Sequence, residues 1–442
     1  MHLSFARFFF LFSFLSFPFL WACSPNKDNS TTAEVDTDSV VSQVSEWGRD
    51  SLISEPSLSF FIPGGASKNA VCLVFLDPQG EGMEPLRLYK NLALDFGFAM
   101  AGSNLSKNGM DIETSKVVVN QLIAKIKNES GLDSARFYIL GFSGGARVAL
   151  QLLLLDSDFR GAVYAGAPGP VSRYDKPLFG FAGYQDMNYA DLLSFESALD
   201  SRTRHILREW PGKHEWPPAG IMEEALNWIQ IKEKSNSAGP EASLSALERK
   251  WKSEKDVLKK AMYLKQSDFL WEAFSGIRRK NPVLEKLEMS SPYRKQDNLR
   301  KKELARELNL KEFYGKAFFE KDTSWWKAEI ASLKSGSRFA EKDMQQRLLG
   351  FFSLASYSLA HRALQENQWP LLEQILFIYR NSDPENAEVW YLSALLSIRK
   401  QQPETAIFQL KKCKALGFKD RVRYEKEPAF RGIREKASLS FP

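Results

Sequence analysis

The sequence has little of what metal, disulfide or nucleic-acid chemistry asks for. Its 442 residues include three cysteines and four histidines, and no cysteine–histidine group has zinc-ligand spacing. No metal or other cofactor is expected. Cys72 lies in an apolar run that reads as a buried strand and Cys413 on a helical pattern. An oxidising compartment would permit a bridge, but the two fall in different domains and no disulfide is expected. Charge of one sign is also scarce: 60 basic residues stand against 54 acidic ones, a net +6. The basic excess lies mostly after residue 245 on helical patterns and reads as solvated helix surface, so no nucleic-acid partner is expected. After about residue 240 the strand signal disappears, with few glycines and little β-branching.

What is present is ordinary for a globular chain, 44% hydrophobic and 26% charged, and the length suits two or three domains. The N-terminus is a targeting segment. Arg7 precedes an apolar run over 8–22, shorter than the ~20 residues of a membrane span but suited to the apolar core of a signal peptide. The run ends Leu20-Trp21-Ala22-Cys23, which resembles the lipobox of bacterial lipoproteins, with Trp21 bulkier than that pattern usually carries. The resemblance implies lipidation of Cys23 and membrane attachment in the bacterial cell envelope, facing the periplasm or the outside. Residues 24–38 are rich in Asn, Ser, Thr and Asp and read as a flexible tether.

From 51 to 232 strand-like and helical runs alternate. Strands are predicted at 57–62, 70–76, 96–101, 136–140, 162–165, 177–183 and 202–209, and helices at 85–94, 114–127, 145–155, 189–198 and 220–231. Short apolar strands alternating with amphipathic helices predict a mostly parallel sheet covered on both faces, with ligands at the carboxyl ends of its strands.

The centre of this region is Gly141-Phe142-Ser143-Gly144-Gly145. A bare G-x-S-x-G carries little weight, but here a strand runs in and a helix runs out, as a nucleophile elbow needs. A glycine-rich turn that binds phosphate is the other reading; the spacing is not G-x-G-x-x-G, and that reading ranks below.

With these residues, 51–232 resembles the α/β-hydrolase superfamily, and most of all the small esterases related to poly(3-hydroxybutyrate) depolymerases and feruloyl esterases. The likeness covers about 40% of the chain. It implies a nucleophile, an acid and a histidine in that order. Of the four histidines, His2 is in the leader, His361 is on a helical repeat, and His205 is inside the last predicted strand. His214 follows that strand in Trp210-Pro211-Gly212-Lys213-His214 and is preferred as the base toward Ser143. Asp186, three residues after Gly183, is preferred as the acid, with Asp191 and Glu196 as competitors. The resemblance places the oxyanion hole at the N–H of Gly144 and at a donor in Asp77-Pro78-Gln79-Gly80. Pro78 has no N–H, which leaves Gln79 or Gly80, and the His-Gly-Gly type motif of many esterases is missing there. About a dozen residues between Ala167 and Phe179 leave no room for a lid. Trp210, Trp216 and Tyr184 read equally as an aromatic binding wall or as packing.

Near the C-terminus Ala360 and Ala394 are 34 residues apart. Trp390, Ala394, Ala406, Leu410 and Cys413 resemble the large and small positions of a tetratricopeptide repeat, with Pro384 at the end of the preceding unit, where Leu372 replaces a small residue. A plain helical bundle is the alternative. The expected organisation is a leader over 1–22, a tether over 23–50, an α/β-hydrolase domain over 51–235, a helical region over 240–345 and tetratricopeptide-like repeats over 346–442. The fold class is α/β, followed by an all-α repeat domain. The expected activity is hydrolysis of small or polymer-borne carboxylic esters. Alternatives are a serine peptidase of the same fold, and an interaction scaffold whose repeats bind a protein partner.

Overall fold

The computed structural model describes residues 50–155, 158–233, 240–336 and 342–437. The leader, the tether and the lipidation expected at Cys23 lie outside the described residues. No helix among the described residues is long and apolar enough to cross a membrane.

Among the described residues eight strands form one sheet: β1 (Ile53–Ser54), β2 (Leu58–Phe61), β3 (Val71–Leu76), β4 (Ala99–Ser103), β5 (Arg136–Phe142), β6 (Ala162–Ala165), β7 (Leu178–Gly183) and β8 (His205–Trp210). Their order is β1-β2-β4-β3-β5-β6-β7-β8. β3 is parallel to β4 and β5, and β5, β6 and β7 continue in parallel, while β1 and β2 are antiparallel at one edge. Apart from Arg136 at the start of β5, the central strands are buried along their whole length, which is why they read as continuous apolar runs. Seven strands match predicted runs; two-residue β1 is too short to leave a pattern. The predicted strand at 96–101 starts late, because Phe96 ends a helix and Gly97 closes it at φ 67°, a left-handed position that glycine takes without penalty.

Five helices belong to this alternation: α1 (Met83–Phe96), α2 (Ile112–Glu129), α3 (Gly144–Leu154), α4 (Tyr189–Ala198) and α5 (Ala219–Glu233). Val71, Leu73, Phe75, Tyr138 and Leu140 pack with Leu86 and Tyr89 of α1 and Met222 and Leu226 of α5. Cys72, Val74, Leu76, Phe137 and Ile139 alternate with them, equally buried, so the pleat sends them to the other face.

Further helices follow: α6 (Glu241–Ser253), α7 (Val257–Ser275), α8 (Pro282–Met289), α9 (Ser291–Glu320), α10 (Thr323–Lys334), α11 (Lys342–Gln365), α12 (Trp369–Ser382), α13 (Ala387–Arg399), α14 (Pro403–Ala415), α15 (Arg421–Lys426) and α16 (Arg434–Ala437). The chain divides into two compact units. The first holds the sheet and continues through α6, α7 and α8 to Tyr293. Leu247, Phe269 and Leu270 enter the sheet core, with the Phe269 ring 5.4 Å from Trp228.

The second unit runs from Arg294 onward and also takes in two short segments, Gly183–Asp191 and Pro211–His214. One of its cores is aromatic, with Trp326 against Phe318 at 4.9 Å and Phe352 at 5.1 Å. In another, α11 packs on α12 and α13 on α14. Ala360, Ala394, Ala406 and Cys413 are wholly buried there, small side chains that let helix axes approach closely.

Candidate active site

Within the first unit, β5 passes through Ser143 directly into α3. Ser143 has φ 51° and ψ −119°, a conformation that costs a non-glycine residue about 1–3 kcal/mol. Its N–H donates to the Ala165 carbonyl of β6 at 2.8 Å, and its side chain is half-buried. The glycines around it are required by space. A Cβ on Gly141 would lie 2.4 Å from the Gly145 carbonyl oxygen, and one on Gly145 would lie 1.9 Å from the Leu76 carbonyl oxygen. The turn is thereby pressed against the end of β3.

The segment after β3 is a tight turn organised by Asp77, which is 6% exposed. Its carboxylate accepts from the Trp216 indole N–H at 3.0 Å and from the Gln79 N–H at 2.9 Å. Its carbonyl accepts from the Gly80 N–H at 3.1 Å. Both N–H groups expected as the second oxyanion donor are therefore engaged inside their own turn. Sequence reasoning missed Asn108, from the loop after β4. Its N–H donates to the Pro78 carbonyl at 2.9 Å, and its side-chain Oδ1 would lie 1.6 Å from a Cβ placed on Gly144. Asn108 thus lies over the residue after Ser143, and no motif marks it.

Within the second unit the structure brings together Asp186 and His214. Asp186 is 1% exposed; its Oδ1 accepts from the Asn188 N–H at 2.8 Å and lies 2.9 Å from His214 Nδ1. The His214 side chain is 20% exposed. Their two loops are joined through backbone: the Gln185 N–H donates to the Gly212 carbonyl at 2.9 Å. A Cβ on Gly183 would meet that carbonyl oxygen at 2.6 Å and the Lys213 carbonyl oxygen at 2.8 Å. An imidazole that carries its proton on Nδ1, facing this carboxylate, presents Nε2 as an acceptor.

The competitors have other partners. Asp191 pairs with Lys311 at 3.0 Å. His205 Nδ1 lies 3.3 Å from the Thr203 carbonyl, and Glu196 lines a pocket beside it. His361 Nε2 lies 3.2 Å from Glu388, on the helical hairpins. Trp210 and Trp216 are core residues, 5% and 9% exposed, and Trp216 packs on Phe142, Phe75 and Tyr89. Tyr184 is half-buried against Tyr189.

No family model and no curated protein matches the chain. Some solved structures are similar to part of it. Est1E from Butyrivibrio proteoclasticus is 11% identical with a TM-score of 0.34, over 42% of this chain and 98% of that one. Est1E with bound ferulic acid is 10% identical with a TM-score of 0.34, over 40% and 95%. The esterase Pf2001 of Pyrococcus furiosus is 12% identical with a TM-score of 0.32, over 40% and 89%.

Proposed function

We propose that this protein is a serine hydrolase of the α/β-hydrolase type, cleaving carboxylic esters through an acyl-enzyme on Ser143. The observation that carries this reading is the backbone of Ser143: a serine held at positive φ between a parallel strand and a helix is the nucleophile elbow. The Asp186–His214 pair supports it, a buried carboxylate bonded to a partly exposed imidazole on loops leaving the ends of β7 and β8. In such sheets reactants gather at the carboxyl ends of the strands.

In this mechanism His214 Nε2 takes the Ser143 hydroxyl proton as Oγ adds to the ester carbonyl carbon. Asp186 accepts the Nδ1–H and stabilises the imidazolium. The carbonyl π electrons move onto oxygen, and the Gly144 N–H in the first turn of α3 receives that charge. The C–O bond then breaks, the alcohol leaves with the proton from His214, and water repeats the sequence to release the acid. The second donor belongs to the Gln79–Gly80 turn or to the Asn108 amide seated over Gly144. A donor in the turn would have to give up its bond to Asp77. The segment between β6 and β7 contains no regular element and is tied down by Tyr174, whose N–H donates to Thr203 Oγ1 at 3.0 Å. That favours an open site and a polymer-borne or bulky ester.

Labelling by a fluorophosphonate, which traps activated serines, tests the reading on residues 24–442. Wild type should label. Ser143→Ala, His214→Ala and Asp186→Asn should each lose about 10³-fold or more in labelling rate and kcat. Asn108→Ala should lose about tenfold or more if its amide is the second donor. A folded wild type that does not label, or labels equally in Ser143→Ala, would sink the hydrolase reading and leave the interaction scaffold. The same proposal includes a lipid anchor on Cys23 in the bacterial envelope and tetratricopeptide-like hairpins that hold a protein partner there.

A further inference from the structure

The loop Gly183–Asp191 carries Asp186, and helices α9 and α11 hold it through buried charges. Glu307, Lys311 and Arg347 are 0%, 6% and 1% exposed. Arg347 donates from Nε to Glu307 Oε2 at 2.9 Å, and its Nη2 lies 2.7 Å from the same carboxylate oxygen. Its Nη1 donates to the Tyr184 carbonyl at 2.7 Å, and its guanidinium stacks over the Tyr189 ring at 4.7 Å. Lys311 Nζ donates to the Met187 carbonyl and, at 3.0 Å, to Asp191. It forms an ion pair with Glu307 Oε1 at 3.3 Å. At the half-buried edge of the cluster, the Gln185 side chain donates to Asp343 at 2.9 Å. The loop is gripped at 184, 185, 187, 189 and 191, on both sides of Asp186.

A buried ionic cluster of this kind is a poor way to gain stability. Its members lose their hydration, and packed apolar side chains of similar volume often serve as well or better. What charges add is direction: a guanidinium fork and an ammonium fix where particular carbonyls point. Burial alone would push the Lys311 ammonium down, but the Asp191 and Glu307 charges outweigh it and hold it above its ordinary value. Lys311 therefore stays charged.

We propose that Glu307, Lys311 and Arg347 are positioning residues for the Asp186–His214 pair, so that the helical part of the chain sets the geometry of the general base. This rests on the hydrolase reading above. The bonds of the cluster described above run to the loop on both sides of Asp186, so its effect is carried through Asp186. A displacement of about 1 Å is worth on the order of 10²-fold in rate.

The test uses the chain from residue 24 to 442, with Arg347→Lys and Lys311→Met made alone and in an Asp186→Asn background. The readouts are kcat and KM on a p-nitrophenyl ester and the rate of fluorophosphonate labelling, with far-UV circular dichroism as the check of folding. Each single variant should lose about tenfold to a hundredfold in kcat with KM within about twofold. In the Asp186→Asn background the same substitutions should cost little more, because the acid through which they act is already lost. A folded variant with unchanged kcat, or an equal loss in both backgrounds, overturns the proposal. If both buried substitutions prevent folding, Asp343→Ala decides. It should show a smaller kcat loss with the same non-additivity, and an additive or absent loss rejects the clamp. A wild type that fails to label overturns the hydrolase reading and this inference together. A labelling wild type whose rate ignores the cluster overturns this inference alone.

Discussion

Ser143 keeps a backbone conformation that its neighbours impose. Gly141 and Gly145 admit the carbonyls of Gly145 and Leu76, where any side chain would collide with main chain. Gly144 differs, since the atom blocking a Cβ there is the tip of the exposed Asn108 side chain. A movable tip yields and a strand carbonyl does not. Gly145→Ala should therefore lower stability by about 1–3 kcal/mol, while Gly144→Ala should cost less than about 1 kcal/mol. Urea denaturation of the two variants checks this, and a reversed ranking would mean that the elbow is not seated on Leu76 as described. The G-x-S-x-G pattern was legible in the sequence because it reports this crowding. Asn108 was not, because its role comes from a loop 35 positions upstream of Ser143 that only the fold brings over the elbow.

Among the elements, the C-terminal end of α5 is fastened to the sheet by one carboxylate. The Glu233 side chain is 4% exposed. It accepts from the Tyr138 hydroxyl at 2.6 Å and from Arg160 at 2.8 Å, with Arg136 at 3.3 Å. Burial alone would raise this carboxyl; the Tyr138 bond and the charges of Lys232, Arg160 and Arg136 outweigh it and hold it below its ordinary 4.5. A group whose folded value is depressed adds stability above its unfolded value, and that stability is lost as pH falls through the folded value. The urea midpoint should thus fall on acidification below pH 4.5, and Glu233→Gln should flatten that slope and cost about 1–3 kcal/mol at neutral pH. An unchanged slope in the variant would remove Glu233 from this role. The amphipathic pattern located α5 itself; its ion pairs are contacts between β5, the loop before β6 and the helix, and no local pattern encodes them.

For the molecule as a whole, the proposed lipid anchor on Cys23 and the proposed partner-binding hairpins are the features that would address it to a place. Cys23→Ser should move the chain from the membrane to the soluble fraction when expressed with its leader, because a lost acyl chain removes ~0.8 kcal/mol per buried methylene. Retention on membranes after that change would point to a different anchor. Cross-linking in the same membranes reads out the hairpins: adducts confined to the chain itself would count against a protein partner. The segments bearing Asp186 and His214 belong to the same compact unit as the residues from Arg294 onward.

The sequence by itself determined the sheet strands and their covering helices, because burial on both faces writes continuous apolar runs and amphipathic helices write a 3.6-residue period. It also picked out Ser143, Asp186 and His214 as candidates, through a local motif and through chain order among four histidines. Tertiary structure alone decided that Gln79 and Gly80 spend their N–H groups on Asp77, and that Trp210 and Trp216 are core. It alone decided, too, that Lys311 and Arg347, bridged by Glu307, grip the loop bearing Asp186 from more than a hundred residues away. Those outcomes depend on which groups meet after folding, and long-range hydrogen bonds and ion pairs leave no periodic trace along the chain.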